Sequence, residues 1–496
     1  MKLKHLSLSV MIMGTALGLA STQAAASGYQ FGSQSVSGQG TAHANGAEAN
    51  DPSTIFTNPA GLSRLDGTQL AIGATLVVPH SEYTDNGSVT TGNFAAIGIP
   101  SRATGGGNGG TFAPKAVAAP TFYLSRKIND KITAGVGIFV PYGAKLDYGF
   151  DWAGRYALKS VNLQSLNINP SMSFKLDDRH SFGFGVSAQY MKATLEQMAD
   201  STTGLNAGIY SAAYKQAILG GASAAVADAT GKGAVALAGI KGDGLAHVEG
   251  DDWGFGWNVG YMFQLDENTR FGLAYRSSVK QTLQGSSTWT FDNVTGVIPG
   301  SATTPAQAAK AKHPNASASV DVTTPETVSA NFFHQLNPKV ALMGDVTWVR
   351  NSRLKQLNIK QSVVNGTVQG DLVLHQNWKD TWRLSLGSNY QLNDSWMLRG
   401  GVAWEQSPVQ SDNDRHPALP DSDRLWLSLG ANYKISKQSS IDLAYSFIDF
   451  KNASMNYTDA CDPTGQSGTC TGNGGTVKGS YKTYLQLIGV QYNYRF

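Results

Sequence analysis

Tyr484-Leu485-Gln486-Leu487-Ile488-Gly489-Val490-Gln491-Tyr492-Asn493-Tyr494-Arg495-Phe496 closes the chain. Every second residue from the end is Phe496, Tyr494, Tyr492, Val490 and Ile488, and between them stand Arg495, Asn493, Gln491 and Gly489. Side chains of a strand alternate between its faces, so this ribbon has one oily side and one polar side. The pattern recurs upstream. Trp253, Phe255, Trp257, Val259, Tyr261 and Phe263 alternate with Gly254, Gly256, Asn258 and Gly260. Phe182, Phe184, Val186 and Tyr190 alternate with Gly183, Gly185, Ser187 and Gln189, and Leu425, Leu427, Leu429 and Tyr433 repeat the motif.

Strands are expected near 68–79, 115–127, 131–142, 157–176, 180–195, 251–265, 269–283, 318–336, 339–351, 372–392, 396–406, 422–435, 439–452 and 479–496. Their connections sort into two kinds. Asn129-Asp130, Asp177-Asp178, Asp266-Glu267-Asn268, Asn337-Pro338, Asn393-Asp394 and Ser436-Lys437 are tight turns. The alternate connections, 80–114, 143–156, 196–250, 284–317, 352–371, 407–421 and 453–478, are long. Short turns on one side and long loops on the other are the pattern of an outer-membrane barrel. The expected fold is therefore all-β, a 14-stranded antiparallel transmembrane β-barrel with both termini in the periplasm. A soluble β-sandwich would need its oily faces to meet a second sheet, and its turns would not sort by length so regularly.

Composition agrees. Among 496 residues there are 56 Gly, 19 Tyr, 19 Phe and 10 Trp, with only 15% charged. Mean hydropathy is −0.21, and no 18-residue apolar run follows the N-terminal segment, which excludes a helical membrane protein. Residues 1–26 read as a secretory signal: Lys2 and Lys4, an apolar stretch from Leu6 to Ala20, then Ala24-Ala25-Ala26 as cleavage site. Without Lys2 and Lys4 the balance is nearly neutral, so nothing points to nucleic acid. The two cysteines, Cys461 and Cys470, are expected to form a structural disulfide in an exported protein. A metal site would need further ligands, and no His lies near them.

Residues 27–66 are rich in Gly, Ser, Ala and Asn and precede the first strand. Within them Ile55-Phe56-Thr57-Asn58-Pro59-Ala60-Gly61-Leu62 reads as a specific turn, with Pro59 fixing φ and Gly61 permitting positive φ. A compact segment ahead of a barrel (67–496) suggests a plug, or hatch, in its lumen. In the long loops, 205–240 and 303–312 have helical composition, the latter with Pro305 suited to a first turn. Their apolar surface either packs on the barrel rim or captures hydrophobic molecules.

Taken together, Asn58-Pro59-Ala60, Gly250-Asp251-Asp252-Trp253-Gly254-Phe255-Gly256-Trp257-Asn258, Tyr275-Arg276-Ser277-Ser278-Val279-Lys280, Trp378-Lys379-Asp380 and Pro420-Asp421-Ser422-Asp423-Arg424-Leu425-Trp426-Leu427-Ser428 resemble the FadL family. Its members carry long-chain fatty acids and other hydrophobic compounds across the outer membrane. The resemblance implies a monomeric barrel with an N-terminal hatch, capture in a groove between the third and fourth outer loops, and an internal pocket near the mature N-terminus. It also implies lateral exit at a kink in the third strand, for which Gly135, Gly137 and Pro141 are candidates, since Gly and Pro weaken a ladder. Tyr29 stands at the third mature position, where the family contacts ligand, with Phe31 beside it. The family's Arg and Lys for a carboxylate fall on Gln197 and Leu374, which cannot pair with an anion. Lys192, His375 and Lys379 are nearby substitutes, although Lys192 is an odd number of positions from Gln197 and so on the other face of a regular strand. Outer-membrane lipid and lipopolysaccharide, a hydrophobic substrate, and the barrel-assembly machinery that reads a terminal Phe496 are the implied partners. No cofactor is implied.

Three other readings compete. An outer-membrane enzyme lacks support from any Gly-x-Ser-x-Gly or His-Glu-x-x-His motif. An open porin for polar solutes conflicts with a lumenal plug. Uptake of aromatic hydrocarbons by the same fold gains from the missing carboxylate partners, because a buried charge needs one.

Overall fold

The structure, a computed structural model, describes residues 29–90, 101–458 and 475–496. The expected signal at 1–26 and the expected disulfide of Cys461 and Cys470 lie outside the described residues. Fourteen barrel strands run in order, each antiparallel to the next: β1 (Thr68–Asp85), β2 (Val117–Lys127), β3 (Ile132–Phe139, resuming at Gly143–Asp147), β4 (Ser160–Lys175), β5 (His180–Ala199) and β6 (Gly244–Gln264). There follow β7 (Thr269–Arg276 and Lys280–Thr290), β8 (Ala316–Thr323 and Thr327–Asn337) and β9 (Val340–Val349 and Gln356–Gln361). The last five are β10 (Leu372–His375 and Thr381–Gln391), β11 (Trp396–Glu405), β12 (Arg424–Lys434), β13 (Ser439–Phe450 and Ala453–Thr458) and β14 (Thr476–Arg495). The ring closes between β1 and β14, from Gln69 opposite Arg495 to Asp85 opposite Gly479. Closure leaves no sheet edge in lipid, where an unpaired backbone group is costly.

The oily faces look outward. Ile488, Val490, Leu429 and Phe255 are exposed, the last 76%, while Gln491, Asn258, Ser446 and Asp442 on the opposite faces are buried. Toward the long-loop end this polarity inverts. Lys192, Asp251, Lys280, Asp321, Lys360 and Lys482 point out, and Leu195, Val248, Leu283, Ile359 and Leu485 point in. That half of the wall has water outside and an apolar lumen.

The inversion explains where expectation and structure part. β5 and β6 run on into the expected loop 196–250, β9 resumes at Gln356–Gln361 inside the expected loop 352–371, and β13 continues into 453–478. In those stretches the outward residues are polar, so no oily face marks a strand. Four strands expected as continuous (131–142, 269–283, 318–336 and 372–392) are interrupted, at 140–142, 277–279, 324–326 and 376–380. At two of these breaks the backbone groups find each other: the Thr324 amide donates to the Val279 carbonyl at 2.9 Å, and the Val279 amide donates to Thr324 Oγ1 at 3.0 Å.

Residues 29–66 pack against the inward faces of the wall and are almost wholly buried. Short helices α1 (Val36–Gln39) and α2 (Thr54–Thr57) and a 3-10 turn (Pro59–Arg64) carry the segment. Its Val36 amide donates to Gln491 Oε1 (3.1 Å), and its Glu48 accepts from Asn389 Nδ2 (2.6 Å). Asn58 caps the 3-10 turn, its Oδ1 accepting from the Ala60 amide at 3.1 Å, while its Nδ2 donates to the carbonyls of Tyr261 (3.1 Å) and Leu273 (3.4 Å). Gly183 and Gly260 make that approach possible: a Cβ on either would stand about 2 Å from Ala60 N or Asn58 Oδ1. Gly61 needs no positive φ, contrary to expectation. It is small because a Cβ there would collide with Thr54 Oγ1 at 2.1 Å.

Candidate functional site

The site begins at the break in β3. Below it β3 is paired on both sides, to β2 from Thr133–Lys127 to Ile138–Phe122 and to β4 from Ile132–Phe174 to Phe139–Asn167. Above it, Gly143–Asp147 stays on β4 alone, and the Val117–Thr121 part of β2 stays on β1 alone. The wall therefore parts between β2 and β3, spanned there by the Asp147 amide donating to the Phe112 carbonyl at 2.8 Å.

The N-terminal segment supplies what the parted strands lack. Phe31 N donates to Pro141 O and Gly143 N to Tyr29 O, both at 2.8 Å, with Gln30 bridged to Tyr142. The Gln34 side chain donates to Val140 O (2.6 Å) and accepts from Val140 N (3.2 Å), and Tyr123 Oη holds the Gln34 carbonyl at 2.8 Å. Every one of these backbone groups would otherwise be a buried orphan. Pro141 lies inside the break. Gly135 and Gly137 do not, since both keep partners on either side. Their missing side chains instead admit Ile55 of α2, whose carbons lie 2.9 and 3.3 Å from where a Cβ would stand.

Tyr29 and Phe31 are both buried but in different surroundings. Tyr29 packs with Tyr142 (ring centroids 5.1 Å), Trp378 (5.8 Å), Met191, Leu283, Val322 and Val409. Tyr29 Oη and Trp378 Nε1 have no hydrogen-bond partner in that cluster, two buried polar groups of the kind that a native structure rarely leaves unsatisfied. Phe31 packs with Val117 and Ala119 of the parted β2 and with Val77, Trp426, Ile448 and Leu487, covering the gap from inside. A cavity of about 70 Å³ lies at the gap, bounded by Ala113, Ala144, Leu146, Leu419, Phe450 and Leu485.

Above the Tyr29 pocket the long loops close over a second apolar cluster. Helices α3 (Ser201–Leu219) and α4 (Ala224–Ala238) contribute Leu205, Ile209 and Ala238, and α5 (Pro305–Lys312) contributes Ala309. Capping residues Asp200, Ser223 and Thr304 start these helices. Val320, Leu357 and Leu419 pack against both clusters, so apolar surface is continuous from the loops to Tyr29.

The other expected ligand residues divide. Leu374 belongs to the loop-side cluster. Gln197 faces no pocket; its Nε2 donates to the Tyr156 carbonyl and holds a loop. Lys192 points outward toward Glu249 at 3.5 Å, in keeping with its odd offset. His375 alternates with buried Leu372 and Leu374 on β10, and so lies off their face. The Lys379 amide donates to the Pro408 carbonyl (2.9 Å) in the wall break that follows. None of these four polar residues is brought to Tyr29. Tyr142, Trp378 and Gln34, which complete the site, were not expected. Trp378 stood in a recognised motif, but only the tertiary fold sets Tyr142 and Gln34 against the N-terminus.

A family profile described as "Outer membrane protein transport protein (OMPP1/FadL/TodX)" matches residues 17–496. An outer membrane protein of Neisseria meningitidis serogroup B is 34% identical over 492 residues, 98% of both chains. The long-chain fatty acid transport protein of Escherichia coli K12 is 29% identical over 453 residues, covering 90% of this chain and 92% of its own. Among solved structures, a Pseudomonas aeruginosa FadL homologue superposes with TM-score 0.75 at 23% identity over 95% of this chain and all of its own. The Pseudomonas putida toluene transporter TodX follows at TM-score 0.60 and 17% identity, over 90% and 94%.

Proposed function

Given that the chain belongs to the OMPP1/FadL/TodX family of outer-membrane transporters of hydrophobic compounds, we propose that its cargo is long-chain fatty acid. The observation that carries this reading is the unbroken apolar surface from the loop cluster through Val320 and Leu357 to the pocket at Tyr29, beside a parted wall. Each methylene moved from water into such surface gains about 0.8 kcal/mol, which favours an extended acyl chain over a small ring. The tail enters between the loop helices, descends to Tyr29, Tyr142 and Trp378, and leaves through the gap between β2 and β3 once the N-terminal strand withdraws. The loop clusters and the hatch act as successive sieves against water and ions, and lateral exit delivers the cargo to the lipid. No energy source is needed; consumption on the far side drives net flow.

Aromatic hydrocarbons are the second reading, favoured by the uncharged Gln197 and Leu374. Calorimetry of the detergent-solubilised protein with palmitate and with toluene separates the two. Tighter binding of palmitate is expected; equal or reversed preference overturns the fatty acid assignment and leaves the barrel intact.

A further inference from the structure

A second cavity of about 70 Å³ is bounded by Gln30, Gly32, His43 and Phe56 of the N-terminal segment, the first two on the strand that carries Tyr29, and by Arg276, Asp345, Thr347, Arg383 and Glu405 of the wall. One water needs about 10–15 Å³ on this measure, so the space holds a headgroup with a few waters but not an acyl chain.

Its charges are unevenly satisfied. Glu405 accepts from Trp426 Nε1 (2.9 Å) and faces Arg424 at 3.6 Å. Asp345 spends its oxygens on Asn331 and on Thr347 (2.7 Å). The two guanidiniums have no such partners. Arg276 donates to neutral acceptors only, Asn169 Oδ1 (3.2 Å), Ser187 Oγ (3.3 Å) and Phe56 O (3.2 Å). Arg383 has one long contact, Nη2 to Thr347 Oγ1 at 3.5 Å, and its buried Nε has no partner. Among the described residues neither forms an ion pair. Arg383 Nη1 lies 3.1 Å from where a Cβ on Gly32 would stand, so the group reaches the strand that carries Tyr29.

Arg383 is partly buried, and the carboxylates near it, Asp345 acting through space and Glu405 opposite it on β11, are engaged elsewhere. Its unpartnered Nε and long Nη2 contact leave the guanidinium fork open, and a carboxylate is the anion that fork fits, with two parallel hydrogen bonds. We infer that Arg383, with Arg276 behind it, receives the carboxylate of an aliphatic acid whose tail lies in the Tyr29 pocket. This deepens the proposed function and rests on it. The headgroup then leads toward the hatch, and its arrival beside Gly32 places it against the segment that must withdraw. It also supplies the acid partner that Gln197 and Leu374 cannot.

The test is calorimetry on the full chain in one detergent, with palmitate and hexadecanol, for the wild type, Arg383→Met and Arg383→Lys. Arg383→Met is expected to weaken palmitate about 10- to 100-fold, the scale of a hydrogen bond to a charged group, and to leave hexadecanol unchanged. Arg383→Lys is expected to recover part of the loss. Equal loss for both ligands would mean that Arg383 only packs, and no loss for either would put the carboxylate elsewhere; each overturns this inference alone. A wild type that binds hexadecanol and not palmitate overturns the fatty acid assignment with it.

Discussion

Asn58 shows how much one side chain can hold. Its amide caps the 3-10 turn and spans to two wall carbonyls, so Asn58→Ala removes the cap and both wall bonds. A loss of about 1–3 kcal/mol is expected, read as a lower midpoint of thermal unfolding in detergent. His416, in the loop between β11 and β12, gives a pH-dependent counterpart. Burial, and then the charge of His375, push its pKa down to about 3 from an ordinary 6.5. Its Nδ1 accepts from the Ala418 amide at 3.0 Å, as the neutral ring must. The folded loop thus binds fewer protons than the open one between pH 6.5 and about 3. Its stability is intact above 6.5 and falls as pH drops, by up to about 1.4 kcal/mol per unit. Protection of the Ala418 amide, taken relative to its intrinsic exchange rate at each pH, should fall on acidification, and His416→Gln should flatten that dependence.

At the scale of elements, the N-terminal segment is fastened unequally. Toward the short-turn end Arg399 pairs with Glu48 of the segment (3.3 Å) and Asp442 of β13 (3.1 Å), all three buried. Gln491 Nε2 and Ser37 Oγ hold Asp51 at 3.3 and 2.6 Å. The stretch from Tyr29 to Gln34, by contrast, is held at the break by hydrogen bonds to β3. Arg399→Met would leave two carboxylates buried without their cation, and should cost about 3–5 kcal/mol; denaturant unfolding in detergent measures it. Withdrawal is expected of residues 29–34, with the rest of the segment staying seated. Strand positions and turn lengths were legible in the sequence because lipid enforces an oily outward face, as at Phe182–Val186 and Ile488–Tyr492. The strand ends beyond Leu195 and Lys451 were not, because polarity inverts where the wall leaves the membrane. The breaks were hidden for another reason: 277–279 and 324–326 are satisfied by each other, a pairing 45 residues apart between Val279 and Thr324.

For the whole molecule, the barrel and its outer-membrane setting follow from alternation and composition, and the family from motifs such as Asn58-Pro59-Ala60, but the site does not. Tyr29 was expected at the ligand. Trp378 stood in a recognised motif, but Tyr142, in the break of β3, and Arg383, on β10, carry no local signal that sets them beside the N-terminal segment. Gln197 and Leu374, chosen by matching positions, lie with the loops. What unites these parts is one requirement: the strand at 29–31 must leave the break in β3 for cargo to pass. Gln30 and Tyr142 face each other across a bridge without mutual hydrogen bonds, a geometry with Cα atoms about 4.5 Å apart and within disulfide range. The decisive measurement is uptake of labelled palmitate by cells carrying Gln30→Cys with Tyr142→Cys, in a background where Cys461 and Cys470 are serine. Uptake should stop when the pair is oxidised and return on reduction. Undiminished uptake through the locked protein would contradict the account.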